Sequence, residues 1–490
     1  MSPRGPFGYT VDDLSAMGVR RISVGGTLAP LRCTLSPNPR DKFGKKVGSI
    51  AFAGKCRIEQ VLSRRSAVSA KILNGMYSAT TSSAGLIKQR PFVLFWLARL
   101  ASTMGYQMLA LTICWQIYEI TNSAFDLGLI GLIQFVPAVV LTLLIGHAAD
   151  SYDRRLIVRA AQSVYALAAV MITAALLAGA LGRDLLFVAV FMIGCARAFE
   201  MPTAHALAPT LVPSPLISRA VAAWTSANQV AVICGPALGG LIYVLSPVLV
   251  GVICLAFFAC SITLVSFVRS QSPAPPREPP TFASVFAGFE YIRSRRRLLG
   301  VITLDLFVVI LGGAAALLPI YARDILAVGP IGLGLLRSAP AAGALITSII
   351  LARHPVERHI GRKMFTVVGV FGFATIVFGL STSFPLSLIA LVTLGASDAV
   401  SVVIRFSLVQ IETPDEKRGR VNAINYLFVG SSNTLGEFES GLVAAWLGTV
   451  PSVVIGGLGS LLVAGVWMML FPDLRRIDRF EPADREQVRV

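Results

Sequence analysis

Runs of about twenty mostly apolar residues recur along this chain, among them Leu127–Gly146, Val248–Val268 and Val301–Ile320. At roughly 1.5 Å of rise per residue, such a run forms a helix about 30 Å long, which matches a bilayer's hydrocarbon core. Inside lipid each segment must satisfy its own backbone hydrogen bonds, which leaves helices and closed barrels. Barrel strands alternate polar and apolar residues, and these runs do not. The runs are therefore transmembrane helices, and the 14% of charged residues falls well short of the roughly 25% of a soluble domain.

Twelve such spans follow Arg90. The first six cover roughly 91–119, 126–149, 156–181, 184–210, 219–245 and 247–269. The linker that follows holds Pro273, Pro275, Pro276, Pro279 and Pro280, which cannot continue a helix. Six more spans cover roughly 298–323, 329–352, 363–382, 385–411, 420–446 and 450–472. The fold expected is an all-α membrane protein of two six-helix halves, residues 76–269 and 298–472. A cytoplasmic linker at 270–297 joins them, and a charged tail at 473–490 follows. Residues 1–75 are polar and basic and are expected to be a non-native or disordered extension, the authentic start being Met76. No signal-peptide apolar core is visible in them.

The net charge of +17 raises the question of nucleic acid, and its distribution answers it. Residues 1–75 carry thirteen Lys/Arg against four Asp/Glu. Most of the remainder sits in loops on one side of the spans. That side holds sixteen Lys/Arg: Arg154, Arg155, Arg159 and Arg219, five between Arg277 and Arg297, four between Arg353 and Lys363, and Lys417, Arg418 and Arg420. The opposite side holds Arg183 and Arg323. Such a bias places the basic side in the cytoplasm. Both termini and the linker are expected there, in a multi-pass inner-membrane protein whose charge faces lipid headgroups rather than nucleic acid.

The halves repeat. A shift of 201 residues lays Gly194 on Gly395, Pro213 on Pro414, Arg219 on Arg420, Ala222 on Ala423, Gly235 on Gly436 and Gly240 on Gly441. Parallel six-helix repeats with a substrate site between them are one way to build a secondary transporter.

Three groups of residues carry candidate chemistry. Gly146, Asp150, Arg154 and Arg155 follow the second span. They resemble the cytoplasmic loop signature of major facilitators, with Ser151 where a basic residue is usual and Asp153 where Gly is usual. The resemblance implies a gate in which Asp150 faces the positive N-terminus of helix eleven. On this reading Asp150→Asn loosens that gate. Gly235, Pro236, Gly239 and Gly240 in the fifth span resemble the Gly-Pro motif of proton-coupled exporters. The alternative for these four is a helix-packing face without a say in transport direction.

The third group is the charge inside the spans: Arg99, Arg197, Glu200, Asp305, Asp398 and Arg405. Buried charge is costly and a functional candidate. A shift of 201 lays Arg197 on Asp398, and 206 lays Arg99 on Asp305. The expectation is that these pairs meet across the halves and respond to protons. The alternative is that each charge meets a neighbour within its own half, Arg197 with Glu200 three residues on. Glu437 and Glu439 are candidates for lining the space between the halves.

Residues 90–476, with these motifs in order and Pro213, Ala220 and Thr413–Arg420 among them, resemble the enterobactin-exporter-like branch of major facilitators. The resemblance implies proton-driven antiport and efflux of a small molecule, a siderophore or drug-like compound, by a monomer with no cofactor. Tyr9–Leu31, with Val11-Asp12-Asp13-Leu14 and Gly18–Gly26, resembles a C-terminal fragment of the isocitrate lyase/phosphoenolpyruvate mutase family, whose barrel needs far more chain.

Two other readings stand beside export. A non-transporting sensor of the same fold shares all these features and is separated by a flux assay. A membrane enzyme needs a metal or nucleophile constellation. The sequence offers no HExxH, no CxxC pair and no phosphate-cradling GxxxxGK[ST] loop, so neither metal catalysis nor direct ATP drive is expected.

Overall fold

The computed structural model describes residues 85–86, 88–141, 152–268 and 289–480. The N-terminal extension, the gate-loop residues Gly146 and Asp150 and most of the linker lie outside them. No strand occurs among the described residues. Twelve long helices do: α1 (Arg90–Thr121), α2 (Ala124–Val140), α3 (Arg154–Leu177), α4 (Arg183–Leu207), α5 (Ile217–Leu245), α6 (Pro247–Ser266), α7 (Arg296–Leu311), α8 (Gly329–Arg353), α9 (Ile360–Leu380), α10 (Phe384–Glu412), α11 (Asp415–Leu447) and α12 (Thr449–Leu470).

Nine helical segments among the described residues are apolar and long enough to span on length and composition alone. The other three are α1, α2 and α11. The described part of α2 stops at Leu141. Helix α11 carries Asn422, Asn425, Asn433, Thr434, Glu437 and Glu439, and it packs on α2 in the join between the halves. Its polarity suits a helix packed on protein rather than on lipid.

Local sequence explains the ends. Asn122 takes the left-handed conformation (φ 48°) and its N–H caps α1 at the Tyr118 carbonyl. Ser123 then caps α2, its hydroxyl accepting from the Asp126 N–H, so two residues turn the chain round. Pro247 starts α6 behind a Ser246 cap. Gly329 (φ +64°) and Pro330 open α8.

The repeat is visible in the helix starts. Arg183 and Phe384 open α4 and α10, and Arg90 and Arg296 open α1 and α7, so the shifts of 201 and 206 fall on equivalent elements. One span departs from expectation. Instead of one helix over 298–323, α7 ends at Leu311. A 3-10 turn (Ala314–Leu317), a single helical turn (Leu318–Ile320) and a π turn (Tyr321–Ile325) follow. The break falls at Gly312-Gly313, where the Gly436 carbonyl of α11 occupies the place a Cβ would take at Gly313.

The cross-half joins are α2 with α11 and α5 with α8, the same contact seen twice through the repeat. A Cβ on Gly128 would lie 2.8 Å from Gly441 Cα, and one on Gly131 would lie 2.6 Å from the Thr434 carbonyl. We call the end bearing the α1–α2 turn the far end and the opposite one the linker end.

Candidate functional site

In the N-terminal half, Glu200 of α4 is a hub. Its carboxylate pairs with Arg99 of α1 at 3.1 Å, both side chains under a tenth exposed. It also accepts from Ser102 (3.2 Å), Gln162 (3.4 Å) and the Tyr165 hydroxyl (3.0 Å). Arg99 lies 5.4 Å from the Trp224 ring centre and reaches the Met201 sulfur. Three helices thus neutralise one buried charge pair, which burial would otherwise penalise heavily.

In the C-terminal half the hub is Arg405 of α10. It ion-pairs with Asp305 of α7 and, at 3.6 Å, with Asp398, two turns earlier on its own helix. Asp305 and Arg405 are closed off, whereas the Asp398 side chain is 47% exposed. A cavity of about 10 Å³ lies among Asp305, Asp398, Ser401 and Arg405, at the lower limit for one water. The buried Ser401 hydroxyl in its wall has no hydrogen-bond partner among the described residues. Two carboxylates share one guanidinium, so with both ionised the cluster keeps an uncompensated negative charge.

These contacts correct two expectations. Arg99 pairs with Glu200, not with Asp305, and Asp398 pairs with Arg405, not with Arg197. The repeat identifies equivalent positions, and equivalent positions stand on opposite sides of the pseudo-twofold axis. The partners that reach each charge belong to adjoining helices of the same half. Arg197 does not pair with Glu200 either. Its guanidinium lies over the Tyr106 ring at 4.6 Å, a cation–π contact.

Arg197 belongs to the join between the halves. Tyr106 reaches Gln134 at 3.5 Å, and Glu437 of α11 is in electrostatic range of both Arg197 and Arg337 of α8. Arg337 donates to the Ala110 carbonyl across the halves (3.4 Å). It carries the same sequence signal as the other candidates, a charge inside an apolar span, and belongs with them on that ground.

The cross-half hydrogen bonds run from the far end to mid-depth. Tyr118 donates to Asp324, and Arg323 to the Tyr118 carbonyl (3.3 Å). Deeper in, Ser338 donates to the Ile233 carbonyl (2.6 Å) and Gln229 to the Ala341 carbonyl (2.7 Å). Both far-end arginines of the sequence are held by carboxylates: Arg323 by Asp324 at 3.9 Å, and Arg183 bidentately by Asp126 at 2.5 and 3.0 Å.

The fifth-helix residues divide between two neighbours. Gly235 and Gly239 let α5 close on α1, where a Cβ would meet Gln107 Cβ at 2.6 Å and Met108 Cα at 3.2 Å. Gly240 faces the Pro330 carbonyl of α8, and the Pro236 carbonyl faces Gly334. The motif is thus part of the far-end closure. Gly240→Val inserts a side chain where the Pro330 carbonyl sits, and overpacking of this kind costs about 1–3 kcal/mol. That is roughly a five- to 150-fold shift of the closure equilibrium. The expected result is faster labelling of Cys114 of α1 by an impermeant thiol reagent from the far side, in a variant lacking the other cysteines. An unchanged rate contradicts the closure role.

At the linker end Arg154 and Arg155 brace the N-terminal half. Arg154 donates to the Ala206 carbonyl (3.2 Å) and Arg155 to the Val268 carbonyl (2.8 Å), tying α3 to the ends of α4 and α6. Asp153 caps α3 through the Arg155 N–H (3.0 Å). Hydrogen bonds from the Arg155 side chain hold its carboxyl below the usual carboxylate range. This gives Asp153, the departure from the family's Gly, a capping task.

Comparison with known proteins places this geometry. The family described as transmembrane secretion effector matches residues 81–488. The enterobactin exporter EntS of Citrobacter koseri is 25% identical over 405 residues, 81% of this chain and 96% of that one. EntS of Escherichia coli O1:K1 is 24% identical over 406 residues with the same coverage. The uncharacterized major-facilitator-type transporter YvqJ of Bacillus subtilis is 26% identical over 57% of this chain and 68% of that one. Among solved structures, the nucleoside transporter NupG superposes with a TM-score of 0.61 at 13% identity, covering 78% of this chain and 99% of that one. An inward-facing bacterial homologue of ferroportin also gives 0.61, at 19% identity, covering 80% and 100%. These proteins are transporters rather than enzymes, and the fold they share is the two-repeat helical bundle described above. The chain belongs to the transmembrane secretion effector family of major facilitators and is a polytopic membrane transporter.

Proposed function

We propose that the chain exports a small molecule in exchange for protons, by alternating access of a site between its halves, with both termini and the linker in the cytoplasm. The carrying observation is the Asp305–Arg405–Asp398 cluster, in which two carboxylates compete for one guanidinium. Protonation of the more exposed Asp398 leaves Arg405 to Asp305 alone. Deprotonation restores the three-way contact between α7 and α10. A proton thereby biases the packing of the C-terminal half, a differential interaction of the kind a coupled switch requires.

The closure at the far end supports a conformation reached from the linker side. The charge bias supports the orientation: sixteen Lys/Arg against two, with those two held by carboxylates. A siderophore or drug-like cargo rests on the enterobactin exporters among the relatives. The work comes from the membrane gradient, which offers about 2.3 kcal/mol per charge per 100 mV. Comparing small molecules in the medium and cytosol of a deletion strain and its parent tests export. The strain should retain at least one compound that its parent releases. Identical profiles under every growth condition, with no flux in vesicles, would leave a sensor.

A further inference from the structure

At the linker end the chain does not run straight out from α12. It turns at Phe471, makes one helical turn (Pro472–Arg475) and fully buries Leu474. This turn is seated on glycines. A Cβ on Gly300 would lie 2.7 Å from a Leu474 methyl, and the Leu474 carbonyl takes the place of a Cβ at Gly361. The Gly361 N–H donates to the Ile477 carbonyl at 2.9 Å. The tail is therefore fixed under the first turn of α9.

This docking shapes an open cleft of about 470 Å³ lined by His359, Arg362, Met468, Arg475, Arg476 and Asp478, among others. Asp478 is committed elsewhere: it accepts from the His359 N–H at 3.1 Å and faces the His359 ring at 3.8 Å and Arg479 at 3.9 Å. None of Arg362, Arg475 and Arg476 forms an ion pair with a described residue. Three like charges held around one cleft repel each other. The N-terminus of α9 adds its own positive end. The cleft lies where two membrane helices begin and end, at headgroup depth, and basic pockets at that depth suit anionic headgroups. Guanidinium forks match phosphate oxygens in charge and shape.

We propose that this cleft binds a phosphate group, supplied by an anionic phospholipid, and that the lipid clamps the tail to α9 and α12. The site is separate from the transport cluster and does not depend on the export reading. Native mass spectrometry of the full chain in detergent tests it, with phosphatidylglycerol, phosphatidylcholine or inorganic phosphate added in turn. The wild type should retain phosphatidylglycerol over phosphatidylcholine. Affinity should fall roughly tenfold for each guanidinium removed in Arg475→Gln and in the triple variant with Arg362→Gln and Arg476→Gln. The single variant keeps the measurement readable if the triple one does not fold. Displacement of the lipid by millimolar inorganic phosphate, in an arginine-dependent way, would reassign the site to soluble phosphate and overturn the lipid. Equal retention of both lipids, indifferent to the substitutions, would overturn the site.

Discussion

Glu200→Ala should unfold the N-terminal half or leave it barely stable, at a cost of about 3–5 kcal/mol. The carboxylate is the common acceptor for Arg99, Ser102, Gln162 and Tyr165. Removing it strands a guanidinium only 7% exposed and leaves several donors unsatisfied. Glu200→Gln keeps an acceptor and should cost less. The double variant Arg99→Met/Glu200→Leu should recover much of the loss, because it removes the charge along with its partner. Thermal unfolding in detergent and the amount of protein inserted in membranes measure both. A single variant within about 1 kcal/mol of wild type, the level of an exposed pair, would show that the hub carries no stability.

The architecture is readable from the residues because its causes are local and repeated. Apolar runs of membrane length fix twelve spans; the offset of 201 that brings Arg219 onto Arg420 also brings Arg183 onto Phe384, and the offset of 206 brings Arg90 onto Arg296, where helices start. What is not local is less visible. Gly312-Gly313 sits inside an apolar run, and the break there lies against Gly436 on another helix. The charges stand out at once as costly residues, yet their pairing depends on which helices adjoin. Arg99 finds Glu200 and Arg405 finds Asp305 through neighbouring helices within each half, a relation that symmetry of sequence does not encode. Gly240 and Pro236 announce close packing, while the partner they meet, α8, is a tertiary fact.

Asp305→Asn and Asp398→Asn should each abolish gradient-driven efflux while sparing exchange of bound substrate. The two replacements act differently. Asn at 398 holds that position neutral at every pH, so Arg405 stays with Asp305 and the cluster no longer takes up a proton. Asn at 305 removes the closer partner of a guanidinium only 10% exposed and leaves Arg405 to Asp398, a fixed pair without a spare carboxylate. Asp305→Asn should also lower thermal stability, since it breaks the more enclosed contact. Asp398→Asn, at a half-exposed position, should leave stability close to wild type. Both proteins should insert normally and run counterflow, which needs the halves to rock but not to spend a proton.

The most direct measurement follows lumenal pH with a dye in proteoliposomes holding purified protein, while the compound retained by the deletion strain is transported against an imposed pH gradient. Wild-type protein should move protons in step with the compound and in the opposite direction. Asp398→Asn should move neither uphill, yet still exchange labelled for unlabelled compound. Uphill transport by Asp398→Asn with undiminished proton movement would contradict the assignment of coupling to this cluster.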